Sequence, residues 1–333
     1  MNRYKFSKAT LRIKSDLLSK MIDSCVSCRE MTRGEISSLS SVSEMTAGKL
    51  LSALDTCRFT NLTYKRNRDG GSPTKLHVFS DMLSTLIVDA SQSGFSYSLI
   101  NGVGECKLFE EHLFDSTVNF NENFRGFLSK TAAELTKRKA AVSAVGVILS
   151  EGASSDLFQN RDAISDFVAS FFGISPSLCV TEADALAFAV KYKVNGLCDE
   201  NKTAYIHISE QPFAACFFDG KTVSLPQIGN LMLSDSTTVS DMLENASGEK
   251  DMGRILARIV NFTYCAFSPG KIIIEHGNIR LGVQALTGIK RVFTLTNTPL
   301  PEISISKCAP GLAHFGLAQA VKADTIKKHI IGI

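Results

Sequence analysis

The residues of this chain that are best suited to chemistry are short polar and basic side chains that could recognise a nucleic acid. They lie in residues 31–54, MTRGEISSLSSVSEMTAGKLLSAL, which have the pattern of two short helices joined by a polar turn. Apolar residues of the second helix follow the i, i+3, i+4, i+7 spacing of a buried stripe: Ala47, Leu50, Leu51 and Leu54. Because an α-helix turns about 100° per residue, Met45, Lys49 and Ser52 point away from that stripe.

Ser43 is placed to cap the second helix, because a serine hydroxyl accepts a hydrogen bond from a free N–H group of the first turn. An exposed face that is short, mixed and basic is typical of a recognition helix in the DNA major groove. The candidate contact residues are Ser43, Met45, Thr46 and Lys49. An ordinary pair of surface helices has the same pattern, so this segment alone does not separate the two interpretations.

A basic β-hairpin is predicted directly after the helix pair. Thr60–Lys65 and Thr74–Phe79 have the pattern of strands, and the segment between them is rich in Gly, Asn and Asp. Together with three helices, the hairpin predicts a winged helix. Lys65, Arg66 and Arg68 at the tip of the wing could contact phosphates or the minor groove. A solvated charged hairpin is the alternative.

Charge is distributed unevenly along the chain. Residues 1–80, here called the head, contain 14 Lys and Arg against 7 Asp and Glu, whereas the rest of the 333 residues contain 22 against 26. A basic head on a mildly acidic body is expected where only the head meets phosphate. With 44% hydrophobic residues the chain can bury sizeable cores, and no apolar run reaches the roughly 18 residues of a membrane span.

The nine cysteines do not have the spacing of a disulfide framework or of a metal site. Cys25 and Cys28 form a C-x-x-C pair without a second pair, and Cys25 falls on the apolar face of a helix predicted over residues 8–28. The first residues are charged throughout, unlike a secretory signal. We therefore expect reduced thiols, a cytoplasmic protein, and no bound metal or cofactor.

The order of elements in the remaining chain occurs twice. A predicted strand at 83–90 is followed by two more strands and then by alternating helices and strands, and the same order restarts at Thr203–Ile208. An internal repeat of this kind predicts two similar lobes with a cleft between them.

Several short motifs accompany this order of elements: Gly71-Ser-Pro73, Val88-Asp89-Ala-Ser91, Glu182-Ala-Asp184-Ala-Leu-Ala187, Asp219-Gly220-Lys221, Gln227-Ile-Gly-Asn230 and Ser268-Pro-Gly-Lys-Ile-Ile-Ile274. In these motifs and in the order of its elements, the chain resembles the ROK family of repressors and sugar kinases. The resemblance implies an α/β protein with an N-terminal winged helix-turn-helix followed by two ribonuclease-H-like lobes of the actin/hexokinase type. The implied domains are a DNA-binding domain at 1–80, a first lobe at 81–190 with a helix at 311–333 packed back on it, and a second lobe at 191–310.

Several residues that a ROK kinase needs are replaced here. By resemblance, Asp184 matches the base that takes a proton from a sugar hydroxyl, but the family's two neighbouring Asn residues are Ala183 and Leu186. Acidic residues such as Glu182 and Asp184 are equally expected at any helix start. The family's second phosphate loop, Gly-Thr-Gly-Ile-Gly, is replaced by Ser209-Glu-Gln-Pro-Phe213, which is poorly suited to hold a phosphate.

The other ligand positions are altered as well. The first phosphate loop keeps Asp89 but has Ser91 for a glycine, and the family's zinc site of one His and three Cys is missing. The sugar-orienting Glu and His are replaced by Gln227 and Asn230, which could hydrogen-bond a ligand or form an uncharged turn. No histidine has a Ser or Cys partner at a recognisable spacing. The weak candidates for binding a sugar or sugar phosphate are Asp89, Glu182, Asp184, Gln227 and Asn230. We expect no catalytic residues.

The sequence therefore predicts a ROK-type transcriptional regulator, with a catalytically inactive body that dimerises and senses a sugar or sugar phosphate. Its expected partners are double-stranded DNA and a second copy of itself, in a homodimer or a higher oligomer, and not a membrane. Two alternatives remain open. One is a sugar kinase that uses ATP, and the other is an interaction scaffold whose winged helix no longer reads DNA. Glu44, an anion at the start of the DNA-reading helix, supports the scaffold, as does Gly48, which costs about 1 kcal/mol of helix stability relative to Ala. Gly48 could instead permit close approach to the duplex.

Overall fold

The computed structural model of the chain forms two compact units, each built around a five-stranded sheet. One unit is Met1–Gly196 with Ala313–Ile333, and the other is Leu197–Leu312. The residues described are 15–66, 72–91, 94–115, 117–149, 161–174, 178–194, 203–208, 212–218, 221–225, 228–234, 236–276, 283–295, 299–307 and 311–331.

The helices and strands are numbered in chain order. The α-helices are α1 (Ser15–Ser27), α2 (Arg33–Ser40), α3 (Glu44–Thr56), α4 (Phe120–Lys137), α5 (Arg161–Phe171), α6 (Glu182–Val194), α7 (Val239–Glu244), α8 (Glu249–Phe267), α9 (Val283–Leu295) and α10 (Leu312–Ile331). The strands are β1 (Thr60–Lys65), β2 (Thr74–Phe79), β3 (Thr85–Ala90), β4 (Gly94–Ile100), β5 (Cys106–Leu113), β6 (Ala144–Leu149), β7 (Leu178–Thr181), β8 (Thr203–Ile208), β9 (Phe213–Phe218), β10 (Lys221–Leu225), β11 (Met232–Ser234), β12 (Thr237–Thr238), β13 (Lys271–His276) and β14 (Glu302–Lys307).

Helices α1–α3 and the antiparallel hairpin β1–β2 form the predicted winged helix, and both strands have the predicted bounds. Helix α2 begins with a reciprocal capping box between Thr32 and Glu35, and it ends at Ser41, which adopts the left-handed conformation with φ 54°. The apolar stripe of α3 is at most 1% exposed. Cys25 is a fully buried residue of α1, as predicted.

The wing is more exposed than its alternating sequence suggests. Leu62 and Tyr64 of β1 are 38% and 64% exposed, and the buried apolar side chains of the hairpin, Leu76 and Phe79, belong to β2. Strand β1 is therefore a solvent-facing edge rather than half of a buried sheet.

The first lobe is a sheet with the strand order β5-β4-β3-β6-β7. Strands β3, β4 and β5 are antiparallel neighbours, whereas β6 runs parallel to β3, and β7 parallel to β6. Helices α4 and α5 cover one face, around Val88 and Val147. Helices α6 and α10 cover the other face, around Ile87 and Ile148. Alternate residues of the central strands thus enter opposite layers.

The second unit repeats this arrangement with the strand order β10-β9-β8-β13-β14. Strands β8, β9 and β10 pair antiparallel, and β13 and β14 follow in parallel. Helices α8 and α9 pack on the sheet around Ile206 and Ile272. The predicted internal repeat is confirmed by this shared topology. Strand β14 was not predicted from the sequence.

The winged helix shares its hydrophobic core with the first lobe. Buried residues of α1 and α3 form one continuous cluster with Tyr192 of α6 and with one face of α10, which includes Ala323 and Ile326. The close approach of the two parts is visible at Gly102, where a Cβ atom would lie 2.1 Å from the backbone oxygen of Ser80. Only glycine fits there.

Polar contacts reinforce the same joint, which is the contact between the winged helix and the first lobe. The Asp23 carboxylate of α1 accepts hydrogen bonds from the ammonium groups of Lys191 and Lys327, each at 3.0 Å. Lys322 of α10 is 4% exposed, and its Nζ donates to the backbone oxygen of Gly102 at 2.8 Å. Burial lowers the pKa of Lys322 to about 7. The winged helix is thus fixed on the first lobe by charged as well as apolar contacts.

Within the described residues, no helix combines the length and the apolar character that crossing a membrane requires.

Candidate nucleic-acid interface

Helix α3 presents the predicted recognition face to solvent. Ser43 caps the helix: its Oγ accepts from the Thr46 N–H at 3.2 Å and lies 2.9 Å from the Thr46 hydroxyl oxygen. Met45 is 74% exposed, and Lys49 is also exposed. Thr46 is half-buried. The cap therefore fixes the first turn of α3, and the side chains of Met45 and Lys49 extend from this part of the helix into solvent.

Arg33 of α2 also belongs to this face, although its place in the sequence does not indicate a contact with α3. A Cβ atom at Gly48 would lie 3.1 Å from Arg33 Nε and 3.3 Å from Arg33 Cδ. The Arg33 side chain therefore crosses α3 at Gly48, next to Lys49 in the sequence. The absence of a side chain at Gly48 leaves room for the Arg33 side chain against the face of α3. No local pattern could reveal a contact between residues of two different helices.

The carboxylate of Glu44 is directed toward the start of α2. A Cβ atom at Gly34, in the first turn of α2, would lie 4.0 Å from Glu44 Oε1. A helix N-terminus carries positive partial charge, so this position partly balances the anion. The argument that Glu44 disfavours DNA is weakened accordingly.

The wing carries exposed cations. Lys65 and Arg66 are exposed as predicted, and Arg68 lies outside the described residues. Lys75 is a further exposed cation, and it faces Tyr64 across the hairpin. Lys75 belongs to β2, so only the pairing of β2 with β1 shows that it lies near Lys65 and Arg66.

A partly buried polar cluster ties the wing to α3. Asp55, near the end of α3, accepts a hydrogen bond from the Thr60 hydroxyl, and its carboxylate lies 3.0 Å from His77 Nδ1. His77 is 4% exposed and also pairs through its backbone with Met31, at 2.9 Å in both directions. The orientation of wing and helix is thus set by groups that bridge them.

The carboxylate of Asp89, a weak ligand candidate, is engaged within the protein. His314 of α10 places Nε2 3.4 Å from Asp89 Oδ2 and Nδ1 2.8 Å from Ser98 Oγ. His314 thus has a serine partner in space, but the two residues are more than 200 positions apart, so no spacing in the sequence indicates the contact. The three side-chain types match a hydrolytic triad, but Ser98 is 1% exposed and out of reach of a substrate.

Asp184 takes part in a helix cap. Its N–H donates to Thr181 Oγ1 at 3.1 Å, and the Thr181 hydroxyl donates to Asp184 Oδ2 at 2.9 Å. This is the geometry of a structural helix start. Glu182 is exposed in the same turn.

The last two ligand candidates belong to the second unit. Asn230 is exposed at the end of a short 3₁₀ helix, Ile228–Asn230, and Gln227 lies outside the described residues. Pro212 is buried, and a Cβ atom at Gly229 would lie 3.1 Å from its Cδ. In the part of the chain that the structure describes, no group of three or more His, Cys, Asp or Glu could hold a metal ion.

Comparisons with known proteins show what this fold is similar to. No protein-family model matches the sequence, and no curated protein matches it. A crystal structure of a ROK family transcriptional regulator, a homologue of the E. coli MLC protein, covers 95% of this chain and 99% of its own at a TM-score of 0.65 and 12% identity. A ROK family protein from Streptococcus pneumoniae in complex with sucrose covers 74% of this chain and 99% of its own (TM-score 0.55, 12% identity). The ROK hexokinase from Thermus thermophilus covers 73% and 99% (TM-score 0.53, 10% identity). The chain therefore has the fold of the ROK regulator over nearly its whole length, and about three quarters of the chain have the fold of the ROK hexokinase.

Proposed function

We propose that this protein is a ROK-type transcriptional regulator that binds operator DNA through its winged helix. The observation that carries the proposal is the exposed face of α3, which bears Met45, Lys49 and the Arg33 side chain on a helix that is capped at Ser43 and buried on its opposite side. A face of this size fits a major groove, and two adjacent cations suit phosphate oxygens or the acceptor edge of guanine.

The wing supplies the second contact. Lys65, Arg66 and Lys75 are exposed on a hairpin that Asp55 and His77 hold against α3. Backbone contacts by the wing would orient the protein on the duplex, while α3 reads bases. In a homodimer, two such heads would meet two half-sites related by the symmetry of the protein.

The coverage of the structural neighbours supports a separate role for the head. The regulator matches 95% of this chain, whereas the S. pneumoniae protein and the hexokinase match 74% and 73%. The difference is 21 or 22 percentage points (95 − 74 and 95 − 73), or about 70 of the 333 residues, which is close to the size of the 80-residue head. A head carried by the regulator and not needed for sugar phosphorylation is best explained by binding to DNA.

The body is proposed to dimerise and to sense a sugar or sugar phosphate without phosphoryl transfer. Asp89 is paired with His314, and one Asp184 oxygen is bound by Thr181, so both carboxylates have structural partners. The buried Pro212 has no N–H to offer to a nucleotide phosphate. A coupled assay of ATP turnover over a panel of sugars tests this point, and clear formation of sugar phosphate would overturn it.

The test of DNA binding uses the purified full chain and a pool of genomic fragments. Fragments retained at moderate salt are identified, and their affinity is measured by fluorescence anisotropy over a series of salt concentrations. We expect log Kd to change linearly with log salt. Lys49→Ala should weaken specific binding by about 1–3 kcal/mol, or about 5- to 150-fold, if Lys49 reads a base.

The matched control is Lys130→Ala on the exposed side of α4, which removes the same charge from the body. Its affinity should equal that of the unaltered protein. Absence of salt-dependent binding to any fragment would refute the proposal and favour the interaction scaffold. An equal loss in both variants would show that binding depends only on net charge.

A further inference from the structure

The first lobe contains a cavity that none of the sugar-binding candidates lines. It lies between α4 and α5, at the carboxyl ends of the parallel strands β3 and β6, and has a volume of about 250 Å³. Its lining residues are Ala90, Phe120, Asn121, Phe124, Arg125, Leu149, Ala163, Ile164 and Phe167. Ligands of open α/β sheets bind beyond the carboxyl ends of the strands, so the position is suited to a ligand.

The walls of the cavity are preformed by aromatic packing. Phe120 and Phe124 stack with ring centroids 5.7 Å apart, and the Phe124 and Phe167 centroids are 6.3 Å apart. Phe95 supports them from the sheet, with its centroid 5.3 Å from that of Phe120. Leu149 completes the floor and is fully buried. A wall of this kind stabilises a flat apolar group and leaves sugar hydroxyls without partners.

One cation stands at the mouth of the cavity. The Arg125 guanidinium carbon lies 5.7 Å from the centroid of the Phe167 ring. Arg125 has no ion pair among the residues that the structure describes. The cation–π contact holds the guanidinium on the wall while its N–H groups remain available. Glu122 and Asp162, which adjoin the lining residues Asn121 and Ala163 in the sequence, do not line the cavity themselves.

From this combination we propose that the cavity binds a small aromatic carboxylate. The ring would lie among Phe124, Phe167 and Leu149, and the carboxylate would pair with Arg125, whose planar fork matches its two oxygens. Asn121 offers an amide to the same end of the ligand. A cavity of about 150 Å³ holds benzene, so 250 Å³ accommodates one ring with a short acidic side chain. The proposal does not depend on DNA binding by the head.

The test is calorimetric titration of the full chain with 3-phenylpropionate and with indole-3-acetate. At least one should bind saturably with Kd below about 1 mM, in keeping with the affinity available to about a dozen heavy atoms. 3-Phenylpropionamide should bind at least 10-fold more weakly than 3-phenylpropionate, because it lacks the charge that Arg125 pairs with. D-Glucose should not compete with either acid.

Two variants locate the binding. Arg125→Met should reduce affinity for the acid at least 10-fold and leave that for 3-phenylpropionamide unchanged. Ala163→Leu adds bulk at an exposed position of the lining, so it should abolish binding without disturbing the core. Lys130→Met on α4 is the matched control and should bind normally. Failure of both acids to bind, or binding that neither Arg125→Met nor Ala163→Leu changes, would overturn the proposal.

Discussion

Replacement of the buried Lys322 by Met should stabilise the protein at pH 7 and destabilise it above about pH 9. Lys322 lies between the head and the first lobe, with its Nζ 2.8 Å from the Gly102 oxygen and 4.4 Å from the centroid of the Phe79 ring. Burial lowers its pKa from 10.5 to about 7, and the contact of the ammonium group with the Phe79 ring only partly offsets the lost hydration of the cation. The folded protein therefore holds a neutral amine at pH values where the unfolded chain is still protonated.

The sign and size of the effect follow from linkage. Because the pKa is depressed on folding, the cost is absent above pH 10.5 and grows as the pH falls, by about 1.4 kcal/mol per unit, until it levels off below about pH 7 at roughly 5 kcal/mol. Lys322→Met removes that cost but leaves the Gly102 oxygen unpaired, at about 1–3 kcal/mol. The variant should thus be more stable at pH 7 and less stable above about pH 9.

The assay is urea denaturation of both proteins at pH 7, 8, 9 and 10. The difference in unfolding free energy is the informative quantity, because other groups titrate equally in both proteins. The exposed control variant Lys130→Met should show a difference that does not change with pH. A constant difference between unaltered protein and Lys322→Met over this range would refute the reasoning, since it would mean that Lys322 is charged in the folded state.

Three further substitutions test the joint and the interface. Asp23→Asn deprives two ammonium groups of their shared partner and should lower the unfolding free energy by about 2–4 kcal/mol in urea denaturation; a loss below 1 kcal/mol would contradict the role of Asp23. Gly316→Val should cost about 3 kcal/mol or more in the same assay, because a Cβ atom would lie 2.0 Å from the Ala185 oxygen and force α6 and α10 apart; unchanged stability would exclude this close packing. Arg33→Ala should reduce the salt slope of DNA binding by about 1 while leaving stability within about 0.5 kcal/mol; an unchanged slope would remove Arg33 from the interface.

The sequence predicted the parts of the fold that depend on local periodicity. Helix α3 was recognisable because its apolar residues recur at helical spacing, and its cap at Ser43 is a local signal as well. The wing strands were bounded by turn residues on one side and by the helix pair on the other. Strand β14 was missed, although its residues alternate. Two prolines, Pro299 and Pro301, precede it directly and favour an interpretation as loop.

What the sequence could not show are contacts between distant segments. Arg33 reaches α3 only because α2 packs against it at Gly48. His314 meets Asp89 and Ser98 because α10 returns to the first sheet. Lys322 occurs in a helix where a lysine is normally expected at the surface, and only the packing of α10 between head and lobe buries it. Each of these depends on topology, which leaves no trace in residue spacing.

The place of α10 in the core of the winged helix has a consequence for biosynthesis. The ion pair between Asp23 and Lys327 cannot form until Lys327 has been synthesised, 304 residues after Asp23. This delay is about 15–60 s at ordinary rates of translation. During that interval the nascent head exposes the apolar face that Ala323 and Ile326 will cover. The head therefore cannot finish folding while the chain is still being synthesised. A truncated message would yield a product that aggregates through this apolar face, rather than a free DNA-binding fragment.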